Sequence, residues 1–351
     1  MSATERRALE RDSDSPPRGA STLAGAGEGA TRAVAQRFLA RYALVVAFAA
    51  VVAGFSLADP GVFLTVRNAQ TIGATQAVTA IMALAALLPL VAGQFDLSIG
   101  SQLAVTQAVC AVLIIQHHVP AGPAALVTVL VGAVYGLING LLVVRVRINA
   151  FIATLGSGTI GLGVMQWLTQ GQEVFGPVPS SFLRLGRNDL AGVPLPFVYV
   201  LVIAVVLWVG LEYTRSGRTA FATGGNARAA LLAGVNVERT TLGAFVGAGC
   251  LSGVAGVLSV MILGAAHPDV GTGFLLPAFA GAFLGATSIR PGRFNVWGTV
   301  IAIYFLAAGI TGLQQQGAAF YVQQYFDGGA LLFAVALSQA AATRRRRRVE
   351  A

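Results

Sequence analysis

The sequence predicts an all-α polytopic membrane protein, a bundle of about ten transmembrane helices. Three observations predict it. The chain is 56% hydrophobic and only 11% charged, with a mean hydropathy of +0.74, whereas a soluble domain is about a quarter charged. A water-soluble globule of 351 residues would lack the polar surface to cover so much apolar material; in lipid, apolar side chains can face outward. The apolar residues also fall into blocks of about 20, the length that crosses roughly 30 Å of hydrocarbon as a helix. Glycine, at 43 residues, suits the close helix contacts that membranes favour.

Taken in order, residues 1–36 are rich in Ser, Gly, Pro, Arg and Glu and carry no apolar periodicity, so they are expected to be a disordered tail. The transmembrane domain spans 37–343, with blocks near 38–57, 70–92, 97–116, 122–144, 150–170, 194–213, 240–264, 274–289, 294–314 and 325–342. The block before Arg290 is short and Gly-rich, and is expected to be a broken helix or two half-helices. A cleavable signal peptide normally starts nearer the N-terminus and has a shorter apolar core than the first block. Residues 344–351 form a basic tail containing Arg344–Arg348.

The arginines set the orientation. If ten spans alternate from a cytoplasmic N-terminus, the inner segments hold Arg145, Arg147, Arg215, Arg218, Arg228, Arg239, Arg290, Arg293 and the arginines of both tails. The outer segments hold only Arg67, Arg184 and Arg187. An excess of cations marks the cytoplasmic side, so both termini are expected inside. Eight or twelve spans keep the same parity.

Two loops stand out. The outer one runs from about Gly171 to Leu195, with Pro177, Pro179 and Pro194 inside it. The inner one covers 214–239, and its segment Asn226–Ala233 (NARAALLA) predicts a short helix capped by Asn226 and stopped at Gly234. Such a helix between long spans suits docking of a partner, and equally suits an ordinary solvated loop.

Four segments carry a resemblance. Gly93–Ser101 (GQFDLSIGS), Asn139–Gly158 (NGLLVVRVRINAFIATLGSG), Arg215–Asn236 (RSGRTAFATGGNARAALLAGVN) and Gly281–Gly298 (GAFLGATSIRPGRFNVWG) resemble, in order and spacing, segments of the permeases of ribose-type monosaccharide ABC importers. Gln94, Phe95, Asn149 and Arg290 depart from that pattern. The resemblance implies the ABC importer permease fold, functional as a dimer with a second copy of the chain, in a bacterial plasma (inner) membrane. It implies three further partners: a cytoplasmic ABC ATPase, an extracytoplasmic sugar-binding protein and the sugar itself. The chain has no G-x-x-x-x-G-K-[ST] phosphate loop; ATP and its magnesium ion are expected on the ATPase, with no cofactor in this chain. A permease for another small solute, such as a branched-chain amino acid, and an ion-coupled secondary transporter are the alternatives. Secondary transporters usually bury several ionisable groups at mid-membrane, and the blocks here hold almost none.

The resemblance implies a coupling role for Gly224, Gly225, Asn226, Ala229, Ala230, Gly234 and Asn236, whose small size would let a helix seat in a cleft on the ATPase. Asp96 is the one carboxylate between the second and third blocks. It suits an N-cap, alongside Ser98 and Ser101, or a gate at the inner mouth of a pathway. Asn139, Thr154 and Gln166 are polar groups inside blocks, open either to interhelical hydrogen bonds or to solute contact. Phe151, Trp167 and Trp297 suit a sugar face or an interfacial belt.

Other features carry less. A net charge of +9 suggests nucleic acid at first sight, but the arginines lie between apolar blocks, and Arg344–Arg348 suits an anchor at anionic lipid headgroups. Cys110 and Cys250 lie inside apolar blocks, which favours buried free thiols. His117, His118 and His267 lack metal-ligand spacing, and no nucleophile–base pair suggests an enzyme.

Overall fold

The computed structural model describes residues 41–350 apart from Asp269, with side chains through 336; the expected tail at 1–36 lies outside the described residues. Of the described residues, those from Leu44 onward belong to one compact unit.

Every apolar block carries a helix. The first is α1 (Arg41–Ala58), which is mostly exposed on its flanks. The second block divides at Gln76 into α2 (Val66–Thr75) and α3 (Ala77–Val91), bent by 43°. Then come α4 (Ile99–Ala111), closed by a widened turn at Val112–Gln116, α5 (Ala121–Val144) and α6 (Ala150–Thr169). A short α7 (Ser180–Arg187) precedes α8 (Leu195–Tyr213). Two further helices, α9 (Arg215–Gly225) and α10 (Ala227–Leu232), lead into α11 (Val237–Leu263), α12 (Thr272–Gly285), α13 (Val296–Gln315) and α14 (Val322–Glu350).

Seven of the described helices are long and apolar enough to cross a membrane alone, and the bent α2–α3 pair makes an eighth. The expected broken helix before Arg290 is instead one 14-residue helix, α12, with Pro277 inside it. α14 runs on from the last block through Arg344–Arg348 of the expected basic tail. Arginine is a good helix former, and nothing before Glu350 breaks the helix.

Strand structure among the described residues is limited to four two-residue pieces. β1 (Val174–Phe175) pairs antiparallel with β4 (Ala265–Ala266), and β2 (Asp189–Leu190) with β3 (Val193–Pro194).

The core is built on α3 and α4, nearly all of whose residues are buried. α3 is apolar almost all round because protein surrounds it on every side, whereas α4 also buries the polar Ser101, Gln102, Thr106 and Gln107. Against them lies α11, which crosses α5 through glycines four residues apart on each helix. A Cβ on Gly132 would lie 2.3 Å from the Gly249 carbonyl oxygen, and one on Gly253 would lie 2.7 Å from Val129 Cα. Lipid gives helices no hydrophobic reason to associate, so this backbone approach and its dispersion contacts hold the pair. Cys110 is buried, Cys250 half-buried, and both are free thiols.

Contacts sort the loops to two ends of the bundle. At one end the turn after α3 touches the end of α9, and the turn after α12 pairs with the end of α8. At the other end β1 meets β4, Gln70 Nε2 donates to the Gly192 carbonyl at 2.9 Å, and Gln315 Nε2 donates to Asn68 Oδ1 at 2.9 Å.

Candidate functional site

The turn between α3 and α4 is the most polar part of the interior. Gly93, at φ +77°, reverses the chain after α3, a conformation that costs glycine little. Asp96 follows, 1% exposed. Its Oδ1 accepts from the Ser98 N–H at 3.0 Å and from the Ser98 hydroxyl. Its Oδ2 accepts from Gln102 Nε2 at 3.0 Å. Ser98 Oγ in turn accepts from Asn139 Nδ2 at 2.7 Å and Gln102 Nε2 at 2.8 Å. Thr154 Oγ1 accepts from the Leu97 N–H at 3.0 Å and donates to the Ala150 carbonyl at 2.7 Å. Ser101 donates to the Ser98 carbonyl at 2.7 Å and lies 3.1 Å from the Tyr135 hydroxyl. One knot thus joins α4, α5 and α6.

No cation pairs with Asp96 among the described residues. Burial raises its carboxyl above the ordinary range, and the bonds from Ser98 and Gln102 oppose that rise. Ser98 holds the N-cap position of α4, yet it makes no side-chain cap bond to the helix. Its hydroxyl points to Asp96, and Asp96 fixes the approach to the helix from two residues upstream.

The segment between α8 and α11 is capped at each step. Thr214 Oγ1 accepts from Gly217 N at 3.3 Å and opens α9. Asn226 Oδ1 accepts from Ala229 N at 3.0 Å and opens α10. Gly234, at φ +82°, ends that turn, and Asn236 Oδ1 accepts from Arg239 N at 2.9 Å to open α11. The expected short helix is therefore present, and a second helix, α9, precedes it; Gly224 and Gly225 are the last residues of α9. Gly224 lies on the turn after α3: a Cβ there would sit 2.1 Å from the Val91 carbonyl oxygen. Gly225 faces open space. Ala230 is buried and Ala229 exposed. On α10, Leu231 is 62% and Leu232 85% exposed, side by side on a short helix that also carries Arg228.

A third contact closes this end. Glu212, at the end of α8, pairs with Arg290 and lies 3.6 Å from Arg293. The Arg293 guanidinium sits 3.6 Å above the centre of the Phe221 ring of α9. Asn295 donates to the Gly285 and Ser288 carbonyls at 3.1 Å and caps α13 through Gly298 N at 2.7 Å. The turn after α12 is thus bound to α8 and α9.

Asp96, Ser98, Asn139 and Thr154 converge. Phe151, 52% exposed, and Gln166 lie on the outward face of α6, away from the knot; neither is brought to it. Gln166 is twelve residues beyond Thr154, more than three turns along α6; Phe151 is only three before Thr154, yet its ring stays half-exposed at the start of the helix. Trp167 is 70% exposed, whereas Trp297 is half-buried against Trp208. Sequence reasoning missed Gln102, Tyr135, Glu212, Leu231 and Leu232. The two leucines carried a signal, as the only large apolar residues in the short capped segment Asn226–Ala233.

The family model described as the permease component of branched-chain amino acid transport systems matches residues 68–336. The chain is 32% identical over 286 residues to the D-allose transport system permease protein of Escherichia coli K12, covering 82% of this chain and 87% of that protein. It is 35% identical over 264 residues to the ribose import permease protein of the same strain, covering 74% and 82%. It is 34% identical over 245 residues to an autoinducer 2 import system permease protein of that strain, covering 68% and 73%. No solved structure matches the chain.

Proposed function

Because the chain belongs to the branched-chain amino acid transport system permease component family, we propose that it is the membrane subunit of an ATP-driven importer whose cargo is a monosaccharide or related polyol. The observation that carries the cargo is the identity to permeases for D-allose and ribose over most of both chains. The chain is a transport component rather than an enzyme. In this reading it works as a pair with a second copy, a cytoplasmic ABC ATPase and an external binding protein, and ATP and magnesium bind on the ATPase.

The end bearing α9 and α10 is the cytoplasmic one in this reading. Its loops hold Arg145, Arg147, Arg215, Arg218, Arg228, Arg239, Arg290 and Arg293, against Arg67, Arg184 and Arg187 at the other end, and cytoplasmic loops collect cations. Ten spans with both termini inside follow if α12 and α14 each cross once.

The exposed Leu231 and Leu232 on α10 are the contact that the ATPase covers, with Gly225 and Ala229 leaving room beside them. ATP-driven closure pushes on α10; the push reaches α9 and, through the contact of Gly224 with Val91 and Gly93, the turn that holds Asp96. The α4–α5–α6 knot moves with that turn, and access alternates between faces. Asp96, Ser98, Asn139 and Thr154 act in this reading as a gate support; Phe151 and Gln166 face outward.

The test is reconstitution of the chain with its ATPase and binding protein in proteoliposomes, with uptake measured for D-ribose, D-allose, D-xylose and D-galactose, and for leucine. ATP-dependent accumulation of a sugar is expected. Accumulation of leucine alone overturns the cargo, and uptake that needs no ATPase but collapses with a protonophore overturns the class. Leu232→Ser and Gly225→Trp should both leave the detergent-solubilised chain folded, because each side chain points into open space. Leu232→Ser should cut stimulated ATP hydrolysis at least roughly tenfold, the effect of losing one buried apolar anchor at an interface, and Gly225→Trp should do likewise by holding the ATPase off α10. Normal hydrolysis in both variants would remove the docking role from α10.

A further inference from the structure

A cavity of about 420 Å³ lies at the end of the bundle opposite α10, where α2 breaks into α3. Ligand pockets typically measure about 300–1,000 Å³. Its walls come from α2, α3, α12, α13 and α14, and two backbone interruptions meet there. At Gln76 the helix bends by 43°, and the Gln76 side chain makes no cap bond to α3. Across the cavity, Pro277 has no N–H to give the Gly273 carbonyl, and both residues line the wall. Irregular backbone inside a membrane bundle is tolerated where it is buried in protein or lines a wet cavity.

The side chains on the wall are chemically mixed. Asp327, on α14, is 6% exposed, with Gln323 hydrogen-bonded to it one turn earlier. Gln76, Gln314, Thr79 and Thr311 supply further donors and acceptors, and Phe274 and Ile303 supply apolar surface. No arginine or histidine among the described residues lines the wall. An amino-acid zwitterion would find a partner for its ammonium in Asp327, but its carboxylate would meet that same anion and no cation among these residues. A polyol needs what the wall has: a carboxylate that accepts from hydroxyls, amides that both donate and accept, and a flat apolar face.

We propose that this cavity is a stopping site for a neutral monosaccharide entering from the binding-protein side, with Asp327 and Gln76 bonding ring hydroxyls and Phe274 covering a ring face. The inference rests on the importer reading above and narrows its cargo to uncharged polyols.

The test uses the complete reconstituted importer with Cys110 and Cys250 replaced by alanine and Thr75→Cys added at the cavity mouth. Labelling of that cysteine by a membrane-impermeant maleimide is timed with and without D-ribose, D-xylose, D-galactose or leucine. Asp327→Asn is assayed for uptake in parallel. Slower labelling with the transported sugar, none with leucine, and uptake lowered roughly tenfold or more in Asp327→Asn are expected, the last being the loss of one hydrogen bond to a charged group. If the unsubstituted importer accumulates a sugar yet that sugar leaves labelling unchanged, the site is overturned and the importer reading stands, whatever Asp327→Asn does. If no sugar is accumulated at all, both fall.

Discussion

Gly249→Val is expected to destroy the folded bundle. A Cβ at Gly249 would lie 2.1 Å from the Gly132 carbonyl oxygen and 3.0 Å from Gly136 N. Both are backbone atoms, and no rotamer change relieves the collision. Overpacking in a core costs about 1–3 kcal/mol when side chains can yield; here α5 and α11 must separate, so the cost lies at or beyond the top of that range. Separation would also open the packing around Phe245, which is fully buried and whose carbonyl oxygen sits where a Gly136 Cβ would be. The measurement is thermal denaturation and size-exclusion behaviour of the purified chain in detergent. Gly243→Val on the same helix is the control, because a Cβ there meets nothing within 4 Å. If the Gly249 and Gly243 variants melt together, glycine contact does not hold this pair.

Asp96 should show an equally large effect, with a sharp contrast between two substitutions. Asp96→Ala removes the acceptor for the Ser98 N–H, the Ser98 hydroxyl and the Gln102 amide at once. Each buried donor left unsatisfied costs about 1–3 kcal/mol, so the knot among α4, α5 and α6 should come apart. Asp96→Asn should be far milder. Its carbonyl keeps the two Ser98 bonds, and its amide N–H₂ faces Gln102. Gln102 Oε1 is a buried acceptor without a partner, and an amide flip would turn it toward the new donor. A folded Asp96→Asn chain beside an unfolded Asp96→Ala chain would mark the residue as a hydrogen-bond hub. Equal loss of stability in both would mean that the charge itself is required. Uptake by the folded Asp96→Asn variant then tests gating separately from folding.

Much of the architecture was legible in the chain because lipid simplifies the problem. Each apolar block near 20 residues had to become a helix, since unpaired backbone polar groups have no water to bond in hydrocarbon. Caps were legible for the same local reason: Asn226 opens α10 and Gly234 closes its turn through bonds that reach only three or four residues. The break at Gln76 was not legible, because the run from Val66 to Val91 contains no residue at the bend that forbids a helix. Neither was α9, whose segment RSGRTAFATGG has three glycines and little apolar content.

The candidate site divides along the same line. Asp96 was visible as a carboxylate in apolar surroundings, but its partners lie on other helices, with Asn139 more than forty residues away. Phe151 and Gln166 looked as suitable as Thr154, and only the packed bundle shows that both stay exposed.

By itself the sequence determined that this protein is a set of membrane helices, where each begins to within a few residues, and which loops share a side. These are properties of local hydrophobicity, charge and capping, which act over one helix at a time. The tertiary structure alone decided which polar groups meet Asp96, that Gly224 rests on the turn after α3, and that Asp327 faces a cavity with Gln76. Those depend on the rotation and depth of each helix against its neighbours, and close packing of small residues fixes both only when the whole bundle is assembled.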